Sequence, residues 1–166
     1  MNLGRILRHF GTTRRDVRRA FQQRVWDAVE QAIREAEPAH DIQLRVVVEA
    51  GLPLHALLRS QSPRQRAIEL FARLHVWDTE HNSGVLIYVQ FADKKIEIVA
   101  DRGINAKVQQ AEWDAICAHI VQAFREGRFE EGAMMGINEV GALVKSHIPA
   151  PTGSRPDELP DKPLLI

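Results

Sequence analysis

The chain has 166 residues, no net formal charge, 45% hydrophobic residues and 27% charged ones, a composition that supports one globular domain with a real core and leaves no room for two ordinary ones. Zero net charge gives the molecule as a whole no electrostatic reason to seek nucleic acid, and the single cysteine, Cys117, excludes an internal disulfide. No run approaches the ~18 consecutive apolar residues of a membrane span, and the first residues lack the apolar core of a secretory signal, so the expected location is cytoplasmic, at most peripheral to a membrane.

Charge is concentrated at the start. Arg5, Arg8, Arg14, Arg15, Arg18, Arg19 and Arg24 all precede residue 25, against Asp16 alone. Residues 1–12 read as a basic arm in which Met1 to Phe10 can form a short amphipathic turn. From Thr13, the apolar positions Val17, Phe21, Val25, Ala28, Val29 and Ala32 recur at three- and four-residue intervals and predict one long helix with the arginines largely on its outer face. A solvated face is the plain reading of Arg14, Arg15, Arg18 and Arg19. The sharper one is a docking surface for phosphate head groups or an acidic partner.

Glu37-Pro38-Ala39-His40 is expected to break that helix, after which Ile42 to Val48 alternates as a first strand. Gly51 to Leu58 is rich in leucine but irregular and receives no assignment. Ser62-Pro63-Arg64-Gln65 carries a capping box with proline at the first helical position, and Ala67, Leu70, Phe71 and Leu74 form the buried stripe that follows. A strand, a helical crossover and a second strand imply parallel pairing.

That second strand lies in the stretch from His81 to Val108, around which the chain is organised. Gly84-Val85-Leu86-Ile87-Tyr88-Val89 has no polar alternation and reads as a central strand covered on both faces. Phe91-Ala92-Asp93-Lys94 suits a reversal, and Lys95 to Ala100 alternates, so the two runs predict a hairpin. Asp101-Arg102-Gly103-Ile104-Asn105 is read as the loop beyond it. Two helices close the domain: one with the stripe Trp113, Ile116, Cys117, Ile120, Val121 and Phe124, the other from about Phe129 to Pro149. Residues 150–166 contain four prolines and read as a disordered tail, leaving 13–149 as the domain proper.

The dinucleotide fingerprint, the phosphate-binding loop and the nucleophile elbow are absent. Cys117 falls within a helical stripe, and the arginine a cysteine phosphatase needs six residues later is replaced by Ala123. His75, Asp78, Glu80 and His81 have poor spacing for a transition metal. Asp78, Glu80, Asn82, Asp101 and Asn105 offer the carboxylates and amides that calcium or magnesium prefers, provided the loops before and after the hairpin converge.

Asn82-Ser83-Gly84 before the strand, the short turn, Ile96 to Val99, Gly103, and then Phe124-Arg125-Glu126-Gly127-Arg128-Phe129-Glu130-Glu131-Gly132 followed by Gly136-Ile137, resemble the TPM-domain family over roughly residues 20 to 148. The resemblance implies a single three-layer α/β/α sandwich with a mixed, mainly parallel sheet and a central hairpin. It also implies activities credited to relatives: acid phosphatase activity, divalent-cation binding, or support of membrane proteins. Where many members have Gly-x-Gly after the hairpin, this chain has Asp101-Arg102-Gly103, Asn105 stands where an acidic residue is common, and arginine-rich Thr12 to Arg19 replaces an aspartate-containing segment.

The leading expectation is an interaction or regulatory module that supports a membrane or envelope protein complex, with Arg14, Arg15, Arg18 and Arg19 meeting the partner. The alternative is a metal-assisted phosphomonoesterase in which Asp101 and Asp78 hold the ion and Arg102 neutralises phosphate charge. Cation binding without catalysis lies between them.

Overall fold

The computed structural model describes residues 3–40, 42–148 and 157–166. Strand β2 (Gly84–Gln90) is buried at every position, as its unbroken apolar run requires. It pairs in parallel with β1 (Gln43–Glu49), in the register Val46 to Ile87, and antiparallel with β3 (Lys95–Ala100), in the register Ile87 to Ile98. The sheet order is β3-β2-β1-β4, where β4 (Leu164–Leu165) runs parallel to β1.

The two-residue period of the strands sorts their side chains between two cores. Leu44, Val46, Val48, Val85, Ile87, Val89, Ile96 and Ile98 face a large cluster with α3 (Gln23–His40), α7 (Gln110–Arg125) and α8 (Phe129–His147). Val47, Leu86, Tyr88 and Val99 face α5 (Pro63–Arg73) through Ala67 and Leu70. The result is the expected three-layer α/β/α sandwich. In α5 the capping box forms: Ser62 Oγ accepts from the Gln65 backbone N–H, and Gln65 Oε1 accepts from the Ser62 N–H. Cys117 lies in the stripe of α7, where burial together with the Glu97 and Asp114 carboxylates pushes its thiol up to about 12, far from thiolate chemistry.

Four local expectations are corrected. The arginine-rich helix is two helices, α2 (Arg14–Ala20) and α3, separated at Phe21. Phe21 turns into an aromatic cluster with Trp26, Phe124 and Phe129, at centroid separations of 5.2 to 5.4 Å. Val17, Phe21 and Val25 stay buried across the break, so the apolar period does not register it. Pro38 does not end α3, which continues to His40: so near its end the helix loses only one backbone bond, and packing against α8 holds the rest. Leu54–Leu58, left unassigned from the sequence, form α4.

The fourth correction concerns the tail. Residues 149–156 lie outside the described residues, but 157–166 are docked. Leu159 is buried against the α5-side core, the Ile166 N–H donates to Val48 O at 3.0 Å, and the Ala50 N–H returns a bond to Ile166 O at 3.0 Å. Arg45 donates to the carbonyls of Pro160 and Lys162. Prolines suit this edge position because an edge strand needs only half its N–H groups paired.

Candidate functional site

The loops on either side of the hairpin converge. The Asp101 N–H donates to Gly84 O at 2.8 Å, and Arg102 Nε donates to Asn82 Oδ1 at 2.9 Å. Asn82 adopts a left-handed φ of 52°, which asparagine tolerates better than most residues. A Cβ on Gly103 would stand 2.6 Å from Asn82 O and 3.0 Å from His81 O. On Gly84 it would stand 1.8 Å from Val76 O. Asn82, Gly84 and Gly103 thus let two chain segments cross at close range.

Asp101 is not a loop carboxylate but the N-cap of a helical turn, α6 (Arg102–Asn105), and its Oδ1 accepts from the Arg102 N–H at 2.7 Å. Its Oδ2 is buried without a hydrogen-bond partner. Asp78, Glu80 and Asn105 are exposed. The carboxylates of Asp78, Glu80 and Asp101 do not gather at one point. Among the described residues, the triad of His, Cys, Asp or Glu whose ligand atoms lie within 4.8 Å of one another is Glu37, Asp157 and Asp161. Sequence spacing could not signal it, since it joins the end of α3 to the docked tail. Burial and the two aspartates push the Glu37 carboxyl up to about 8 although it accepts from the Leu44 N–H at 2.7 Å. A neutral carboxyl at physiological pH accounts for this cluster.

A second polar cluster, also silent in the sequence, lies between β1, β2 and α5. Glu49 receives two bonds from buried Arg66, at 2.7 and 3.0 Å, and one from Tyr88 Oη at 2.7 Å, and Arg66 reaches on to Glu69 at 3.0 Å. Every carboxylate oxygen of Glu49 has a donor, so the network is closed and holds α5 to the sheet.

The basic amino-terminal face is open. Arg14, Arg15, Arg18 and Arg19 are all exposed on α2. Among the described residues, Arg14, Arg15 and Arg18 make no ion pair, and Arg19 meets Asp16 only at 3.9 Å. The Asp16 carboxylate accepts instead from the N–H and hydroxyl of Thr13, at 2.8 and 2.7 Å, and these bonds hold its pKa below the usual range. Other arginines nearby are neutralised: Arg24 by Glu130, Arg128 by Glu126 and Glu131.

Preceding α2, the arm forms helix α1 (Leu3–Gly11), clamped to the hairpin turn by its polar side. Asp93 accepts from Arg5 Nε at 3.0 Å, from Arg5 Nη2 at 2.8 Å and from Arg8 Nη2 at 2.6 Å. Buried His9 accepts the Leu52 N–H on Nδ1 at 2.9 Å, with Nε2 3.1 Å from Asp93. Burial lowers its pKa and outweighs the opposing pull of Asp93, and with Nδ1 accepting from a backbone N–H the ring is neutral.

A mixed four-stranded sheet between helical layers, with a glycine-dependent crossing beside its hairpin, defines an α/β domain of the kind the sequence resembles. The sequence model of the TPM domain matches residues 15–143, and the chain belongs to the TPM-domain family. Its fold is similar to the NMR structure of the BA42 protein from the psychrophilic bacterium Bizionia argentinensis. That similarity has a TM-score of 0.73 and 30% identity, over 86% of this chain and 92% of that one. It also resembles the N-terminal domain of a protein from P. gingivalis solved by solution NMR, with a TM-score of 0.56 and 16% identity over 70% and 71% of the two chains, a likeness of fold alone. No sequence among the curated proteins matches the chain.

Proposed function

We propose that this TPM domain is an interaction module that supports a membrane or envelope protein complex, and that the basic face of α2 is its contact surface. One observation carries the reading: four exposed guanidinium groups, three of them without a carboxylate partner among the described residues, on a chain whose formal charge is zero. Like charges crowded on a seven-residue helix repel one another, and folding gains nothing from them. An anionic partner removes that repulsion and is steered to it. No helix among the described residues is long and apolar enough to cross a membrane, so contact with a membrane complex would be made from its surface.

The quadruple variant Arg14→Gln, Arg15→Gln, Arg18→Gln, Arg19→Gln tests this. Its melting temperature stays within ~2 °C of the parent, because exposed charges contribute little to stability. Its recovery of the partner complex from cross-linked membranes falls by about tenfold or more, at roughly 0.5 kcal/mol or more per arginine. Unchanged recovery overturns the reading.

A second reading, a divalent cation at the loops beside the hairpin, is favoured by the unpartnered buried Oδ2 of Asp101. Asp101 would supply the charge and Asn82 and Asn105 neutral oxygens, a donor set suited to calcium or magnesium. Asp101→Asn preserves the N-cap oxygen and removes the charge. Calcium or magnesium is then expected to raise the melting temperature of the parent and leave the variant unmoved. An equal rise in both places the cation elsewhere. The phosphomonoesterase reading requires Arg102 to meet phosphate through Nη1 and Nη2, since its Nε donates to Asn82.

A further inference from the structure

Helix α1 is packed inside out. Arg5 and His9 turn inward to Asp93 and Leu52, Arg8 reaches Asp93 from an exposed position, and Ile6 alone packs against the small cluster of Leu52, Ala56 and Leu57. Leu3, Leu7 and Phe10, spaced at four and three residues and so stacked on one face, turn outward with 64%, 65% and 62% of their surface exposed. A stabilising helix would place these groups the other way round. Clamping the polar side through the ion pairs of Arg5 and Arg8 with Asp93 and the hydrogen bond of His9 with the Leu52 N–H fixes the apolar side toward whatever lies outside.

Resting on the contact surface assigned above, we propose that this face docks on an anionic lipid bilayer, Leu3, Leu7 and Phe10 entering the acyl boundary while Arg14, Arg15, Arg18 and Arg19 meet the lipid phosphates. Two considerations select lipid over protein or a second copy of the chain. Three side chains set along about 10 Å at the helical rise cannot supply the ~800 Å² per partner of a stable protein interface. A bilayer sets no such minimum, since its boundary accepts each apolar side chain separately. Further, three side chains alone hold a bilayer only transiently, and an adjoining cluster of cations is the second signal that makes such contact stable. Here α2 begins three residues after α1 ends, with its free arginines. Lys94, exposed in the turn whose Asp93 clamps α1, and Lys95, exposed at the start of β3, add charge of the same sign.

The test is co-flotation of the full chain with vesicles of phosphatidylcholine, alone or with one third phosphatidylglycerol. The parent is expected to float with the anionic vesicles and not with the neutral ones. Leu3→Ser, Leu7→Ser, Phe10→Ser together should weaken that binding about tenfold or more at unchanged melting temperature, because the replaced groups already face solvent. The quadruple arginine variant should weaken it similarly. If the serine variant binds as the parent does while the arginine variant is lost, insertion is overturned and the basic contact surface stands. If the parent ignores both vesicles yet the arginine variant loses the partner complex, lipid is overturned and the module reading again stands. If neither variant changes vesicle binding or partner recovery, both fall. Self-association that the serine substitutions abolish, without vesicle binding, assigns the stripe to a second copy and overturns the lipid proposal.

Discussion

Glu37 shows what one buried carboxyl does when the chain end folds back on it. Its pKa of about 8, against an ordinary 4.5, means that the folded protein holds a proton the unfolded chain releases. The associated stability is full below about pH 4.5 and is lost as pH rises through about 8. The expected outcome is a decline on the order of 1–3 kcal/mol in unfolding free energy across that window, followed by chemical denaturation. Glu37→Gln keeps an oxygen for the Leu44 N–H, adds a permanent donor and flattens the profile. A variant with the parent's slope assigns the pH dependence to another group. None of this is visible in the sequence, where Glu37 is separated by more than a hundred residues from Asp157 and Asp161, which sit in a proline-rich segment.

Between elements, Gly84 is the tightest point. Its α carbon passes the Val76 carbonyl where the chain leaves α5 and enters the central strand, and a methyl group there would lie 1.8 Å from the oxygen. Gly84→Ala is expected to cost on the order of 2–5 kcal/mol, read from the denaturation midpoint at constant slope. A cost under ~1 kcal/mol would show that the crossing can relax. Here the sequence was informative. The Asn82-Ser83-Gly84 pattern, the unbroken apolar run and the capping box at Ser62 each mark a local constraint, and with them came the hairpin, the parallel β1–β2 pair and the three layers. Where tertiary contact decides, local pattern fell short. Phe21 breaks a helix without breaking its period, Asp101 became a cap because the next turn is helical, and Leu159 to Ile166 order only because β1 offers them an edge.

For the whole molecule, the distribution of charge matters more than its sum. Carboxylates close Arg5 and Arg8 over the hairpin turn, the arginines of α5, and Arg128 at the α7–α8 junction, and leave α2 open. The arginine cluster was legible in the sequence. That Arg5 and Arg8 are spent on Asp93, while Arg14, Arg15 and Arg18 stay without a carboxylate partner among the described residues on the helix that follows the apolar stripe of α1, required the fold. The most direct measurement of the central claim is the fraction of the protein bound to membranes of its source cell as a function of salt, for the parent and the quadruple glutamine variant. Binding through α2 predicts that the parent is released as ionic strength rises from about 0.05 to 0.5 M, the screening length falling from roughly 14 to 4 Å, and that the variant binds weakly with little salt dependence. Superimposable curves for the two proteins would contradict it.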